Sequence, residues 1–174
     1  MPTAPSTSNY YLGKGIVKFD RFDDAGLPTG LRDMGNAPAF TILPVLETLD
    51  HFSSREGIKT KDLSVDTMIG ATVKFTLDEY DKENLALALL GEVSGNLIHG
   101  LTKRNIMGEL RFFGGNDIGP NYNATIWKVK IKPVSEVGFI TEEWGKVDFE
   151  GEVLSVVADH PTSPFFDLQD VTGS

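Results

Sequence analysis

The sequence contains no cysteine, which excludes disulfides, thiolate metal sites and a cysteine nucleophile. It has no apolar run near the roughly 20 residues that a spanning helix needs; the longest, Leu85 to Leu90, is far too short. The polar, Pro-containing start from Met1 to Ser8 lacks the basic and apolar regions of a secretory signal, so conventional export is not expected. Basic charge is scarce as well: 16 Lys and Arg stand against 25 Asp and Glu, a formal net charge of −9. That balance argues against tight binding to nucleic-acid phosphates, an affinity that comes largely from cationic side chains displacing counterions. Histidine is limited to His51, His99 and His160, too far apart to seed a zinc site. No G-x-S-x-G elbow is present, and no nucleophile, base and orienter can be assembled, so neither an enzyme nor a cofactor is expected.

What remains is the composition of a soluble globular domain: 174 residues, 40% hydrophobic and 24% charged, with a mean hydropathy of −0.12. This length fits one domain. Eighteen glycines and nine prolines cut the chain into short segments, which suits strands joined by turns better than a helix bundle. Ile16 to Asp20 reads as a strand. Phe40 to Leu49 reads as another, at an edge or bulged, because Pro44 cannot donate to a ladder. In Met68 to Leu77, Ile69, Ala71, Val73, Phe75 and Leu77 share one face, the pattern of a half-buried strand. Further strands are expected at Met107 to Phe113, at Ala124 to Lys132 with Trp127, Val129 and Ile131 inward, and at Lys146 to Ala158.

The one good helix signal follows Asp81, a candidate N-cap, with Leu85, Ala88 and Leu89 on a stripe and Gly91 as the C-terminal stop. The carboxylates at Asp78, Glu79, Asp81 and Glu83 belong at that helix N-terminus, where negative charge is stabilised by about 0.3–1 kcal/mol each. Gly13, Lys14 and Gly15 look like a piece of a phosphate loop, but a strand follows, leaving no helix N-terminus for a phosphate. The fold class expected is mainly β, a sandwich or barrel with one flanking α-helix. It is divided into an N-terminal arm (1–9), a β domain (10–158) and a C-terminal arm (159–174).

Three stretches resemble the tail tube (major tail) proteins of long, non-contractile-tailed bacteriophages: Tyr10 to Gly35, Glu47 to Val65 and Phe75 to Gly91. In the last, the role of the family's Asp-x-x-x-x-Asn-Leu-Ala helix start would fall to Asp81, Asn84, Leu85 and Ala86, with two residues instead of four between Asp81 and Asn84. The resemblance covers about the first half of the chain. It implies a structural virion protein of the phage tail, assembled in the host cytoplasm. Six copies would close into a ring by sharing sheet edges, and rings would stack into the conduit for genome ejection. The implied partners are further copies of the chain, a tape-measure protein, tail-tip and terminator proteins, and DNA passing without specific binding; no membrane insertion is implied.

Within that frame the long, polar loop expected from Glu47 to Lys61, with His51, Phe52, Ser53, Ser54, Arg55 and Glu56, is the candidate for contact between rings. Asp148, Glu150 and Glu152, with Asp66, are candidate lumen-lining residues whose charge would repel phosphate. Asp81, Leu85 and Leu89 are expected to cap and pack the helix. Two other readings stay open: the ring-forming tube protein of a secretion system, and a monomeric β-sandwich that binds carbohydrate or another small ligand. For the latter, Trp127 and Trp144 are the available stacking platforms, and Trp127 is expected to be buried.

Overall fold

Alternating apolar residues and frequent turn residues translate into ten strands, which the computed structural model describes within residues 5–173. In chain order they are β1 (Gly15–Arg21), β2 (Arg32–Asp33), β3 (Ala39–Ser53), β4 (Thr60–Leu77), β5 (Glu92–Ser94), β6 (Leu97–His99), β7 (Ile106–Gly114), β8 (Tyr122–Ile131), β9 (Val147–Val153) and β10 (Phe166–Asp170), with helix α1 (Lys82–Ala88) between β4 and β5. All pairings are antiparallel. The main sheet runs β2-β1-β7-β8-β9-β4-β3, and β10 is a branch on β8.

β8 is the hinge of this sheet. One side pairs with β7, while the other side is shared: Tyr122 to Ile126 pair with β10, and Val129 to Ile131 pair with β9. The sheet curls around a core built from Val17 and Phe19 of β1, Leu110 of β7, Ile126 and Val129 of β8, Val73, Phe75 and Leu77 of β4, and Phe149 of β9. The curl brings Phe40 of β3 onto Phe112 of β7, with stacked rings 5.1 Å apart. Phe75 stacks on its register partner Phe149 at 5.0 Å.

Several expectations are corrected by this geometry. Trp127 does not point into the core. Gly108 pairs with Val129 and Leu110 with Ile126, so Trp127 and Lys128 together oppose Glu109 in a β-bulge, and the inward parity shifts from Ala124 and Ile126 to Val129 and Ile131. Trp127 instead stacks on His160, with centroids 3.6 Å apart, and donates its indole N–H to the Ser163 carbonyl. The strand expected to reach Ala158 ends at Val153. The segment beyond residue 159 contributes β10 to the sheet, in register from Phe166↔Ile126 to Asp170↔Tyr122.

Helix α1 begins as read, with Asp81 extended and its carboxylate accepting the Asn84 N–H at 2.7 Å. The buried face is Asn84, Ala86, Leu87 and Ala88, whereas Leu85 and Leu89 are only half-buried. Leu90, not Gly91, takes the left-handed conformation (φ 47°) at the helix end. Gly91 is needed for a different reason, because a Cβ there would lie 2.3 Å from the His99 carbonyl oxygen of the β5–β6 hairpin.

Candidate functional site

The longest pairing in the molecule is β3 with β4, from Ala39↔Thr76 to Ser53↔Thr60. Only its first half belongs to the core. β9 covers the other edge of β4 from Leu77 to Ala71 and then stops, so the edge of residues 60–70 that faces away from β3, and the whole outer edge of β3, have no strand partner among the described residues. Past Ala71 the hairpin leaves the body as a two-stranded arm, and residues 60–69 are exposed. The segment Glu47 to Lys61 is therefore not a long loop. His51, Phe52 and Ser53 lie in β3, and only the turn of residues 54–59, with Ser54, Arg55 and Glu56, is irregular. Gly57 (φ 63°) supplies the left-handed residue that turn requires.

The arm is apolar on both faces. Directly paired residues share a face; Leu49 opposes Val65, and Leu46 opposes Ile69, at 68%, 50%, 58% and 70% exposure respectively. Alternation along β3 adds Leu43 and Val45 to the face of Leu49, and Met68 and Leu63 join it from β4. Ile69 thus continues the apolar pattern of Ala71 and Val73 beyond the point where the core ends. Two bulges, at Thr67 and Asp62, adjust the register. Near the tip, Asp50 accepts from Lys61 Nζ (2.7 Å) and Ser64 Oγ (2.6 Å), which hold its carboxyl below the usual carboxylate range. His51 Nδ1 meets Asp62 at 2.6 Å.

The acidic ladder is brought together on β9 but not as bare charge. Asp148, Glu150 and Glu152 project from the side away from the core, opposite Thr76, Lys74 and Thr72 of β4. Glu150 accepts from Lys132 at 2.6 Å and faces Lys74 at 3.5 Å, so its carboxyl is held below its ordinary value, chiefly by the Lys132 bond. Asp148 accepts from Thr76 Oγ1, and Lys130 sits opposite Glu152. Three carboxylates thus share a face with Lys74, Lys130 and Lys132, because cross-strand register sets Lys74 of β4, Lys130 of β8 and Lys132 just past its end beside the acids of β9. Asp66 lies apart from the ladder, paired with Thr48 on the arm.

At the opposite end of β4 from the hairpin turn, the connection from β8 to β9 (residues 132–146) makes a second exposed feature. Its base is fixed to Tyr80, whose hydroxyl donates to the Gly138 carbonyl and whose ring packs edge-on against Phe139. Beyond that base Phe139, Ile140 and Trp144 stand out into solvent at 72%, 99% and 91% exposure. Sequence reasoning weighed Trp144 only as a ligand platform and passed over Phe139 and Ile140. The available signal is three large apolar residues between Gly138 and Gly145 in a stretch with no strand alternation.

Asn84, on the buried face of α1, is the buried polar side chain among the described residues. Its amide donates to the carbonyls of Met34 and Glu79, each at 3.0 Å, and its oxygen accepts from Arg32 at 2.7 Å. Among the described residues no three His, Asp or Glu side chains converge as a metal cluster, and no helix is long and apolar enough to cross a membrane. The grooves are open; the one over Thr41, Lys74, Asp148 and Glu150 follows the charged face of β9. A family model described as "Protein of unknown function UCP028589" matches residues 10–97 and 94–169. No curated protein matches the chain.

Proposed function

The chain belongs to that family of unknown function, and we propose that it is a structural, self-assembling protein whose copies close into rings and stack into a tube of the kind found in long, non-contractile phage tails. The observation that carries this reading is the β3–β4 arm. A lone two-stranded hairpin is marginal in water, yet this one extends about ten residues past its covering strand with apolar side chains on both faces and two unpaired edges. Long, flat, apolar edges are templates for pairing with another chain. Burying a Leu, Val, Ile or Met side chain contributes about 1.5–3 kcal/mol when complete, so Leu46, Leu49, Leu63, Val65, Met68 and Ile69 supply ample driving force for contact between copies. A heterologous contact that closes by rotation makes a ring, and ring stacking makes a filament.

The charge assignment changes with the geometry. Because Lys74, Lys130 and Lys132 accompany Asp148, Glu150 and Glu152, that face repels DNA only weakly if it lines the lumen. The repulsion that lets DNA slide then comes from the net −9 of each copy taken as a whole. The test is negative-stain electron microscopy with sedimentation velocity of the purified chain over a range of concentrations, beside Leu49→Asp/Val65→Asp. Wild-type protein is expected to form rings or tubes, and the double variant to sediment as a folded monomer. A wild-type chain that stays monomeric at every concentration, and with a tail-tip nucleus added, defeats the proposal.

A further inference from the structure

The two most exposed apolar features sit at opposite ends of the same long strand. β4 begins at Thr60, beside the hairpin turn, and ends at Leu77, whose partner Val147 follows the Phe139–Trp144 loop. Seventeen residue steps at about 3.3 Å separate them by up to about 55 Å. Their charges are opposite. The turn of residues 54–59 carries Arg55 and Lys59 against Glu56, a net +1 in a chain whose total is −9. Residues 135–146 carry Glu136, Glu142 and Glu143 against Lys146, a net −2. Each also bears a large apolar side chain held almost wholly in water: Ile58 at 90% in the turn, and Ile140 and Trp144 in the loop. The loop backbone at Thr141 to Lys146 curls around a concavity, and Thr141 Oγ1 closes the curl by donating to the Glu143 carbonyl at 2.6 Å.

We infer that the cationic hairpin tip of one copy seats on the anionic 139–144 loop of the next, with Ile58 against Trp144 and Ile140, and Arg55 and Lys59 against Glu142 and Glu143. The inference rests on the tube reading and, to the contact between rings expected of residues 47–61, adds the surface that receives the tip. Because the complementary surfaces are at opposite poles, a copy cannot satisfy its own loop with its own tip. The contact is head to tail and leaves a free tip and a free loop at the two ends of any stack, which is the geometry of open-ended growth. Complementary charge at such a contact fixes orientation and suppresses tip-to-tip and loop-to-loop encounters.

Charge reversal tests the pairing. All the side chains concerned are exposed, so Arg55→Glu/Lys59→Glu and Glu142→Lys/Glu143→Lys should each keep the urea midpoint of the wild-type monomer. Each is expected to raise the concentration at which tubes appear by about tenfold or more, as is Trp144→Ala, and a 1:1 mixture of the two reversed variants should recover tubes. If wild-type protein makes tubes and the loop variants make them at the same concentration, the axial contact lies elsewhere and this inference fails while the tube reading stands. A mixture no better than either variant alone also overturns it. A wild-type chain that never leaves the monomer removes both.

Discussion

Replacing Asn84 by Ala removes three hydrogen bonds at one buried point and leaves their partners in place. The Met34 and Glu79 carbonyls lose their donor, and Arg32 loses its shortest acceptor. An ordinary intramolecular hydrogen bond contributes a net of about 0.5–1.5 kcal/mol, and an orphaned buried partner costs about 1–3 kcal/mol. Arg32 is one-third exposed and keeps Asp81 at 3.3 Å, so its share is the smallest. The expected loss is about 2–4 kcal/mol, or about 6–12 °C in Tm for a 3 kcal/mol change in a domain of this size. Asn84→Asp separates the donors from the acceptor: it keeps the Arg32 contact but turns a carboxylate toward two carbonyls. At neutral pH it should be at least as destabilised as the alanine variant, and it should recover as acid returns a proton to the carboxyl. Urea unfolding of dilute monomer, with unchanged m-value, gives both numbers, and Asp81→Ala, a cap loss of about 1 kcal/mol, calibrates the scale. An Asn84→Ala midpoint within about 0.5 kcal/mol of wild type would show that water or backbone shifts satisfy the carbonyls, and would refute the reasoning.

Two further outcomes are expected. Glu150 has a folded pKa below its ordinary 4.5, so its pairing with Lys132 and Lys74 stabilises the fold above pH 4.5, and that contribution is lost as pH falls through the lower folded value. The stability difference between wild type and Glu150→Gln should shrink to nothing across that acid window and be flat above it; a difference that persists into acid contradicts the pairing. Gly91→Ala must push the β5–β6 hairpin off the helix end, because the new Cβ would stand 2.3 Å from a backbone oxygen. Faster amide exchange confined to residues 92–99 is the expected signature, and unchanged protection there disproves the close approach.

Strand periodicity made the body legible. The alternation in Ile16 to Asp20, Ala71 to Leu77 and Lys146 to Val153 reports burial against one core, whereas Ile69, read onto the same face, is exposed on the arm; Pro44 marked β3 as an edge strand, which it is. Asp81 announced the helix through the demand of its orphan N–H groups. Three kinds of feature stayed hidden. A bulge is a one-residue count mismatch between strands, so no local pattern in β8 betrays that Trp127 leaves the core. Charge compensation on β9 depends on which lysines of β4 and β8 fall opposite, a register that the acids themselves do not encode. The arm was misread as a polar loop because His51 to Lys61 is polar in composition; its strand character comes from pairing over fifteen residues, a tertiary fact. The β5–β6 hairpin is absent from the strands expected above although a signal for it exists: Gly95-Asn96 between Ser94 and Leu97 is a two-residue turn.

The branch strand β10 decides which surfaces the molecule withholds. Without it, the backbone of Tyr122 to Ile126 would offer a second open ladder on the body, in competition with the arm. With it, that ladder is filled from within the same chain, and the new border is five residues long and carries Asp167 and Asp170, a short acidic rim of the sort that discourages further pairing. If copies assemble as proposed, growth would be channelled toward the arm: its edge is offered to neighbours, whereas the β8 ladder is occupied in advance by the chain's own last strand.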